Sequence, residues 1–188
     1  TVLSEIHRLN RIIRDFLQFS RPPATVLRLA DPNDAVLDAL RRLEGDIQRA
    51  GVEITFDRGA LPPCLIDRER LSEAVYNILL NAIQAMQEAG RPPRQISIRT
   101  WRAGGEVALE MADTGPGIPA EVRPRIFDLF FSTREGGTGL GLAYVNAIVS
   151  AHQGRLTVER TGPEGTAFAI RLPARMILEE AGGTEPGA

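Results

Sequence analysis

Lysine is missing from the chain: all 22 basic residues among its 188 residues are arginine. This absence excludes the lysine of a Walker A loop, the strand lysine of eukaryotic-type protein kinases and a lysine Schiff base. If the chain handles nucleotide phosphates, backbone amides, arginines and a metal ion must therefore hold them.

The chain also has a single cysteine, no long apolar run and little net charge. The single cysteine, Cys64, excludes a disulfide framework and a cysteine zinc site and is typical of a reducing cytoplasm. No apolar run approaches the ~20 residues of a membrane span, so we expect no membrane contact by this chain and a cytoplasmic location, while membrane anchoring of a longer parent protein stays open. A formal net charge of −2 gives no support for nucleic-acid binding.

The first 20 residues predict a helix with one apolar seam. The seam side chains recur at spacings of 4, 3, 4 and 3 at Val2, Ile6, Leu9, Ile13 and Phe16. A seam this short needs a partner helix, and we expect it from a second copy of the chain. Prolines end the helix within a linker at residues 21–24.

Residues 25–174 predict one α+β domain, followed by a tail at 175–188 whose end is disordered. Strands are expected at 25–30, 52–57, 64–66, 95–102, 106–112, 155–160 and 166–172. Helices are expected at 32–50, 68–88 and 139–152, with a short helical turn near 121–127. Because most strands form hairpins with helices between them, the helices should cover one face of a mixed, mostly antiparallel sheet.

Polar side chains interrupt the apolar sequence of the helix predicted at 68–88. Glu73, Asn77 and Asn81 recur at a spacing of four, so they lie one above another on one helix face. Asparagine is a poor helix former, so the pair needs a reason. One interpretation is buried hydrogen bonding to a neighbouring loop; the other is that the amide oxygens bind Mg²⁺ among phosphates.

Two glycine-rich segments follow, Asp113-Thr114-Gly115-Pro116-Gly117-Ile118-Pro119 after a strand and Gly136-Gly137-Thr138-Gly139-Leu140-Gly141-Leu142 before a helix. In the first, a carboxylate could accept a hydrogen bond from an amine such as adenine N6, while the glycines admit a flat ring; a plain turn is the alternative. In the second, free backbone N–H groups at a helix N-terminus could bind an anion. The second segment is not the dinucleotide fingerprint, because Tyr144 stands where the third glycine would be.

Together and in this order, these elements resemble the GHKL superfamily, whose members share the Bergerat ATP-binding fold, and within it the bacterial sensor histidine kinases of two-component systems. The asparagine helix resembles their N box, the two glycine segments their G1 and G2 boxes, residues 126–131 their F box, and Gly165-Thr166 the last glycine-threonine element. Residues 1–20 resemble the second helix of the dimerisation and histidine-phosphotransfer domain, especially in the nitrogen-regulation-type subgroup. The resemblance covers residues 1 to about 173.

The resemblance implies a two-layer Bergerat sandwich that binds ATP and Mg²⁺. Asn81 would be the chief Mg²⁺ ligand, supported by Asn77, and Asp113 would bind the adenine amine. Residues 119–137 would form a lid in which Arg134 pairs with the γ-phosphate; a solvated loop residue is the alternative. Further nucleotide-binding residues would be Gly115, Gly117, Ile118, Phe130, Gly137, Thr138, Gly139, Leu140, Gly141 and Thr166.

The implied activity is transfer of the γ-phosphoryl group to a histidine on a separate helix, for relay to a response-regulator aspartate. Two features depart from the family. Gln84 stands three residues after Asn81, where many relatives carry a basic residue. His7 is followed by Arg8 rather than an acidic residue, and His152 is expected to be a helix-end residue bound to local carbonyls, so we expect no phosphoacceptor in this chain.

Other functions stay open. An ATP hydrolase of the same superfamily would carry a glutamate one turn before the Mg²⁺ asparagine, where this chain has Asn77, while Glu73 lies ~12 Å from Asn81 along the helix axis. A module that only binds ATP or dimerises is the second alternative, and the intact motifs disfavour it. An anti-sigma serine kinase shares the fold, but the helix before Ser20 favours a histidine kinase.

Overall fold

The computed structural model describes residues 24–134 and 137–174. Its strands are β1 (Arg28–Ala30), β2 (Glu53–Asp57), β3 (Cys64–Ile66), β4 (Gln95–Ala103), β5 (Glu106–Asp113), β6 (Arg155–Gly162) and β7 (Gly165–Pro173). Its helices are α1 (Pro32–Ala50), α2 (Arg68–Ala89) and α3 (Gly141–Ala151), with a 3₁₀ turn at Arg123–Arg125. The helix predicted at 1–20, most of the linker and the tail at 175–188 lie outside the described residues.

The five-stranded sheet has the order β2-β4-β5-β7-β6. Its β2–β4 pair is parallel and its other pairs are antiparallel, while β1 and β3 form a separate antiparallel pair. In β4, buried and exposed residues alternate, which is the pattern of a sheet with one covered face. The three helices pack on that face, so the predicted two-layer α+β sandwich is confirmed.

Local capping fixes both ends of α1 and α2. The side chain of Asp31 accepts a hydrogen bond from the Asn33 amide at 2.8 Å, and that of Asp67 accepts one from the Arg70 amide at 3.1 Å. Gly51 and Gly90 end the helices in the left-handed conformation. These boundaries agree with the sequence predictions to within a residue, because each depends on a few adjacent side chains.

Two predicted elements are shorter in the structure. The strand predicted at 25–30 is reduced to β1, because its partner β3 offers only three residues for pairing. The helix predicted from residue 139 begins at Gly141. Its start is delayed because Gly139 has φ +66°, which a right-handed helix does not allow.

His152 joins the end of α3 to the start of α2. Its Nδ1 lies 2.8 Å from the Ile148 carbonyl oxygen, and its Nε2 accepts the Asp67 amide hydrogen at 2.9 Å. Because Nε2 accepts, Nδ1 is the nitrogen that donates to the Ile148 carbonyl oxygen, and the predicted local carbonyl bond is confirmed. Because His152 is buried, this link fixes how α3 lies beside α2.

Cys64 is fully buried in β3. Its thiol donates to the Pro62 carbonyl oxygen at 3.3 Å, and burial raises the pKa of the thiol. Within 24–134 and 137–174, no helix combines the length and apolar character needed to span a bilayer.

Candidate nucleotide-binding site

A cavity of about 840 Å³ lies between α2, the 113–119 loop and the segment that leads into α3. This volume is in the range of small-molecule sites. Most of the site residues predicted from the sequence line it: Asn77, Asn81, Asp113, Gly117, Ile118, Arg134, Gly137, Thr138, Gly139, Leu140, Gly141 and Thr166.

Asp113 marks one end of the cavity, which we call the base end. It is the last residue of β5 and is partly buried. Its Oδ1 accepts the Gly115 amide at 2.7 Å and the Thr166 amide at 3.3 Å, whereas none of the described hydrogen bonds uses Oδ2. Burial raises the pKa of this carboxyl, against the opposing effects of the two amides and the Arg134 charge. Oδ2 therefore remains available for a donor in the cavity.

The backbone of the 113–118 loop packs closely against the turn between β6 and β7. Gly117 has φ +79°, and a Cβ there would collide with the Gly162 carbonyl. Gly165 has φ +127°, and a Cβ there would collide with the Asp113 carbonyl. Neither position has room for a side chain, so the two loops behave as one wall of the base end.

Side chains reinforce the same wall. The Ile118 amide donates to Thr161 Oγ1 at 2.7 Å, and Thr161 Oγ1 lies 3.1 Å from Thr166 Oγ1. The Arg91 guanidinium donates to the carbonyl oxygens of Gly115, at 3.2 Å, and Pro163. The base end is therefore held from two sides by contacts between distant parts of the chain.

The two asparagines and the start of α3 form the other end, which we call the phosphate end. Asn77 Nδ2 donates to the Glu73 carbonyl at 2.9 Å, which leaves its Oδ1 toward the cavity. A Cβ built on Gly141 would lie 3.7 Å from both Asn77 Oδ1 and Asn81 Nδ2, so α3 begins directly beside them. No side chain caps α3 at Leu140, so its first amides are open to an anion.

Arg134 crosses from the 119–134 segment to α2. Its Nη2 donates to the Asn81 carbonyl at 2.7 Å, its Nη1 donates to Gln84 Oε1 at 2.8 Å, and its Nε lies 3.2 Å from Glu88 Oε2. Nη1 also lies 3.5 Å from Asn81 Oδ1. The interpretation of Arg134 as a solvated loop residue is wrong, since its guanidinium packs on the asparagine helix.

The Glu73 carboxylate already accepts two hydrogen bonds. Its Oε2 accepts hydrogen bonds from the Tyr144 hydroxyl at 2.6 Å and from Arg70 Nη1 at 2.8 Å. Burial and the Glu73 carboxylate raise the pKa of Tyr144 to about 12, so the phenol remains a proton donor. A carboxylate held by two donors is a poor general base for activating water.

Residues 66–176 match the family described as histidine kinase-, DNA gyrase B-, and HSP90-like ATPase. The chain belongs to this family. Its similarity extends to the signal transduction histidine-protein kinase AtoS of Escherichia coli (strain K12), with 36% identity over 178 residues, 92% of this chain and 28% of that protein. The sensory histidine kinase/phosphatase NtrB of Rhodobacter capsulatus is 36% identical over 184 residues, 92% of this chain and 51% of that protein.

A solved structure gives the same result. Full-length ShkA in complex with AMPPNP superposes with a TM-score of 0.78 at 26% identity, over 92% of this chain and 37% of that chain. The resemblance to catalytic domains of sensor histidine kinases, including nitrogen-regulation-type relatives, is thereby confirmed. The chain spans about a quarter to a half of the length of the two curated relatives.

Two residues predicted to contact nucleotide in this family do not line the cavity. Phe130 is 58% exposed and has a backbone φ of +62°; the neighbouring Phe131 lines the cavity instead. Gly115 lies behind Asp113, where a Cβ would come within 2.7 Å of Asp113 Oδ1. Of the two phenylalanines, Phe131 therefore lines the cavity, and Gly115 leaves room for the Asp113 carboxylate; a nucleotide contact by either phenylalanine stays a prediction.

Sequence reasoning missed Glu88, Arg91 and Thr161. Glu88 had a signal: it lies seven residues after Asn81, on the same helix face. Arg91 and Thr161 had none, because their contacts with the 113–118 loop join residues 24 or more apart in sequence.

Proposed function

We propose that this domain binds Mg-ATP and transfers the γ-phosphoryl group to a histidine on a separate helix, for relay to an aspartate of a response regulator. One observation carries the proposal: a single cavity has, at one end, a carboxylate oxygen that accepts no hydrogen bond from the residues described and, at the other, an uncapped helix N-terminus beside two asparagines. These are the complements of an aminopurine and of a phosphate chain.

At the base end, Asp113 Oδ2 would accept the N6 amine of adenine. Guanine carries an oxygen at that position, and a carboxylate would repel it. Ile118 and Thr166 line the same end, and they would contact the purine ring or its amine. The rigid wall behind them keeps the carboxylate in one place, which favours selectivity over adaptation.

At the phosphate end, the residues present fit Mg²⁺ and phosphates. Among the residues described, no cluster of three or more His, Cys, Asp or Glu side chains could hold a metal ion. The available ligands are the neutral oxygens of Asn81 and Asn77, which suit Mg²⁺ because phosphate oxygens complete its shell. The residues at 137–141 and the first amides of α3 would hold the phosphates, and bound Mg²⁺ would neutralise part of their charge.

Arg134 would supply the positive charge that phosphoryl transfer requires near the γ-phosphate. It is the arginine that the structure brings to Asn81. ATP hydrolysis is the weaker alternative, since Asn77 cannot act as a base and Glu73 is held by Tyr144 and Arg70. A domain with no base next to the phosphates retains the phosphoryl group for a histidine.

The wider assembly is part of the same proposal. Residues 1–20 would be the second helix of a dimerisation and phosphotransfer hairpin, residues 25–174 the catalytic domain, and the protein a cytoplasmic homodimer. The partners would be the acceptor helix of the parent kinase and a receiver domain. The names of the relatives, which are sensory and signal-transduction histidine kinases, support the kinase role within this assembly.

The test mixes this chain with a separate fragment that contains the acceptor helix of the parent kinase, together with γ-labelled ATP and Mg²⁺. We expect acid-labile label on the fragment, and none on this chain alone, since His7 and His152 do not fit the acceptor. Omitting Mg²⁺ should abolish labelling. Stoichiometric phosphohistidine on the isolated chain, lost in His7→Gln, would contradict the proposed division of roles.

A further inference from the structure

Arg134 is held in place by side chains of α2, none of which is basic. Position 84 carries a neutral acceptor, and Gln84 Oε1 receives Arg134 Nη1 at 2.8 Å. One turn later, Glu88 Oε2 lies 3.2 Å from Arg134 Nε. Asn81, Gln84 and Glu88 follow one another at spacings of three and four on α2, so the three side chains present one row to the guanidinium.

The row matches the shape of the guanidinium. Arginine carries its N–H donors in a rigid plane, and Nε, Nη1 and Nη2 each have a partner on α2. A lysine or arginine at position 84 would place a second cation against Arg134 and expel it. The glutamine at this position and the arginine of the 119–134 segment are therefore complementary: the positive charge reaches the phosphate end from the lid rather than from the helix.

Burial indicates which contact matters more. The Arg134 side chain is 25% exposed, whereas that of Glu88 is 59% exposed, so water and salt screen the ion pair. Gln84 is partly buried, and its hydrogen bond to a charged donor is better protected. Removal of Gln84 should therefore have the larger effect.

We propose that Gln84 and Glu88 are positioning residues that hold Arg134 against Asn81 at the phosphate end. The proposal rests on the function inferred above, in which Arg134 meets the γ-phosphate. Gln84 and Glu88 act only through Arg134, so their removal has no further effect once Arg134 is gone. Conversely, a cation placed at position 84 replaces the lost guanidinium.

The test is a double-mutant cycle on Mg-ATP and Mg-ADP affinity. Gln84→Ala should weaken ATP binding roughly tenfold and Glu88→Ala by less, with ADP affinity changed less than about twofold. In the Arg134→Ala background both substitutions should have almost no effect, and Gln84→Lys should restore ATP affinity. Gln87→Ala is the matched control, since Gln87 is an exposed glutamine of the same helix outside the cavity.

A measurement without nucleotide isolates the contact itself. The Arg134 Nε–H signal in a ¹⁵N–¹H spectrum should exchange slowly with water, and faster in Gln84→Ala and Glu88→Ala. The proposal would be overturned if the losses of ATP affinity in Gln84→Ala and Arg134→Ala multiplied in the double variant. It would also be overturned if Gln84→Lys failed to restore ATP affinity in the Arg134→Ala background. If the wild-type chain does not bind ATP although the Arg134 signal is protected, the proposed function fails and the positioning contact stands.

Discussion

The two ends of the cavity are built in different ways. At the base end, two loops interlock through carbonyls, hydroxyls and glycines that leave no room for a side chain, as at Gly117 and Gly165. At the phosphate end, one arginine side chain, that of Arg134, reaches across to α2 and is held there by Gln84, Glu88 and Asn81. In the proposed function, selection of a base benefits from a fixed wall, whereas ATP would enter and ADP would leave at the phosphate end. Side-chain contacts of moderate strength permit that opening.

The largest expected effect comes from breaking the phosphate end at Asn81. Asn81→Ala should lower phosphoryl transfer at least about a hundredfold, because it would remove the proposed chief amide ligand for Mg²⁺. The thermal midpoint should barely change, since the side chain lines the cavity rather than the core. Labelling assays and thermal unfolding measure the two quantities.

Asn146→Ala is the matched control for that variant, because Asn146 is an exposed asparagine of α3 outside the cavity. A large loss of stability in Asn81→Ala would instead favour the interpretation of Asn81 as a structural hydrogen-bonding residue.

A smaller effect is expected at the base end. Asp113→Asn should weaken ATP binding by roughly 1–3 kcal/mol, because an amide presents a mispaired group to the adenine amine. Calorimetry with ATP and GTP measures the change. Equal affinity of the wild-type chain for the two nucleotides would contradict the role of Asp113.

The same variant tests the electrostatics without nucleotide. Because burial raises the pKa of Asp113, its charged form opposes folding. The wild-type free energy of unfolding should therefore fall, relative to that of Asp113→Asn, as the pH rises from below the ordinary aspartate pKa through the raised one. A variant that is less stable than the wild type at neutral pH would show that the amide hydrogen bonds outweigh the burial.

The smallest expected effect is a difference in backbone hydrogen exchange between the two ends of the cavity. Backbone amides at 119–134 should exchange faster than those of β5 and β7, because this segment has few backbone hydrogen bonds beyond single turns. Mg-ATP should slow exchange in the segment and leave the two strands unchanged. Equal rates in the nucleotide-free protein would remove the proposed difference between the ends.

The sequence predicts local features well and distant ones poorly. The ends of α1 and α2 follow from Asp31, Gly51, Asp67 and Gly90, because capping involves adjacent residues. The parallel pairing of β2 with β4 joins residues about 40 apart, and no local pattern encodes it. The two glycine motifs predict most of the cavity residues, because each motif, like a helix cap, consists of residues that are adjacent in sequence.

Side-chain direction sets another limit on sequence reasoning. Phe130 and Phe131 look equivalent in sequence, but Phe131 lines the cavity whereas Phe130, which has a positive φ, is exposed. The charge of Arg134 is visible in the sequence, but its place beside Gln84 depends on how the 119–134 segment folds back on α2. These details come from tertiary contacts rather than from composition or spacing.

The burial of Cys64 makes the chain convenient for spectroscopy. A thiol reacts as its thiolate, and both the inaccessibility of this thiol and its raised pKa disfavour that form. A cysteine introduced at the exposed Leu129 would therefore be the one that a maleimide dye or spin label reaches first. The native cysteine could stay in place, and a single-site probe would report how far the segment around Leu129 moves when nucleotide is added.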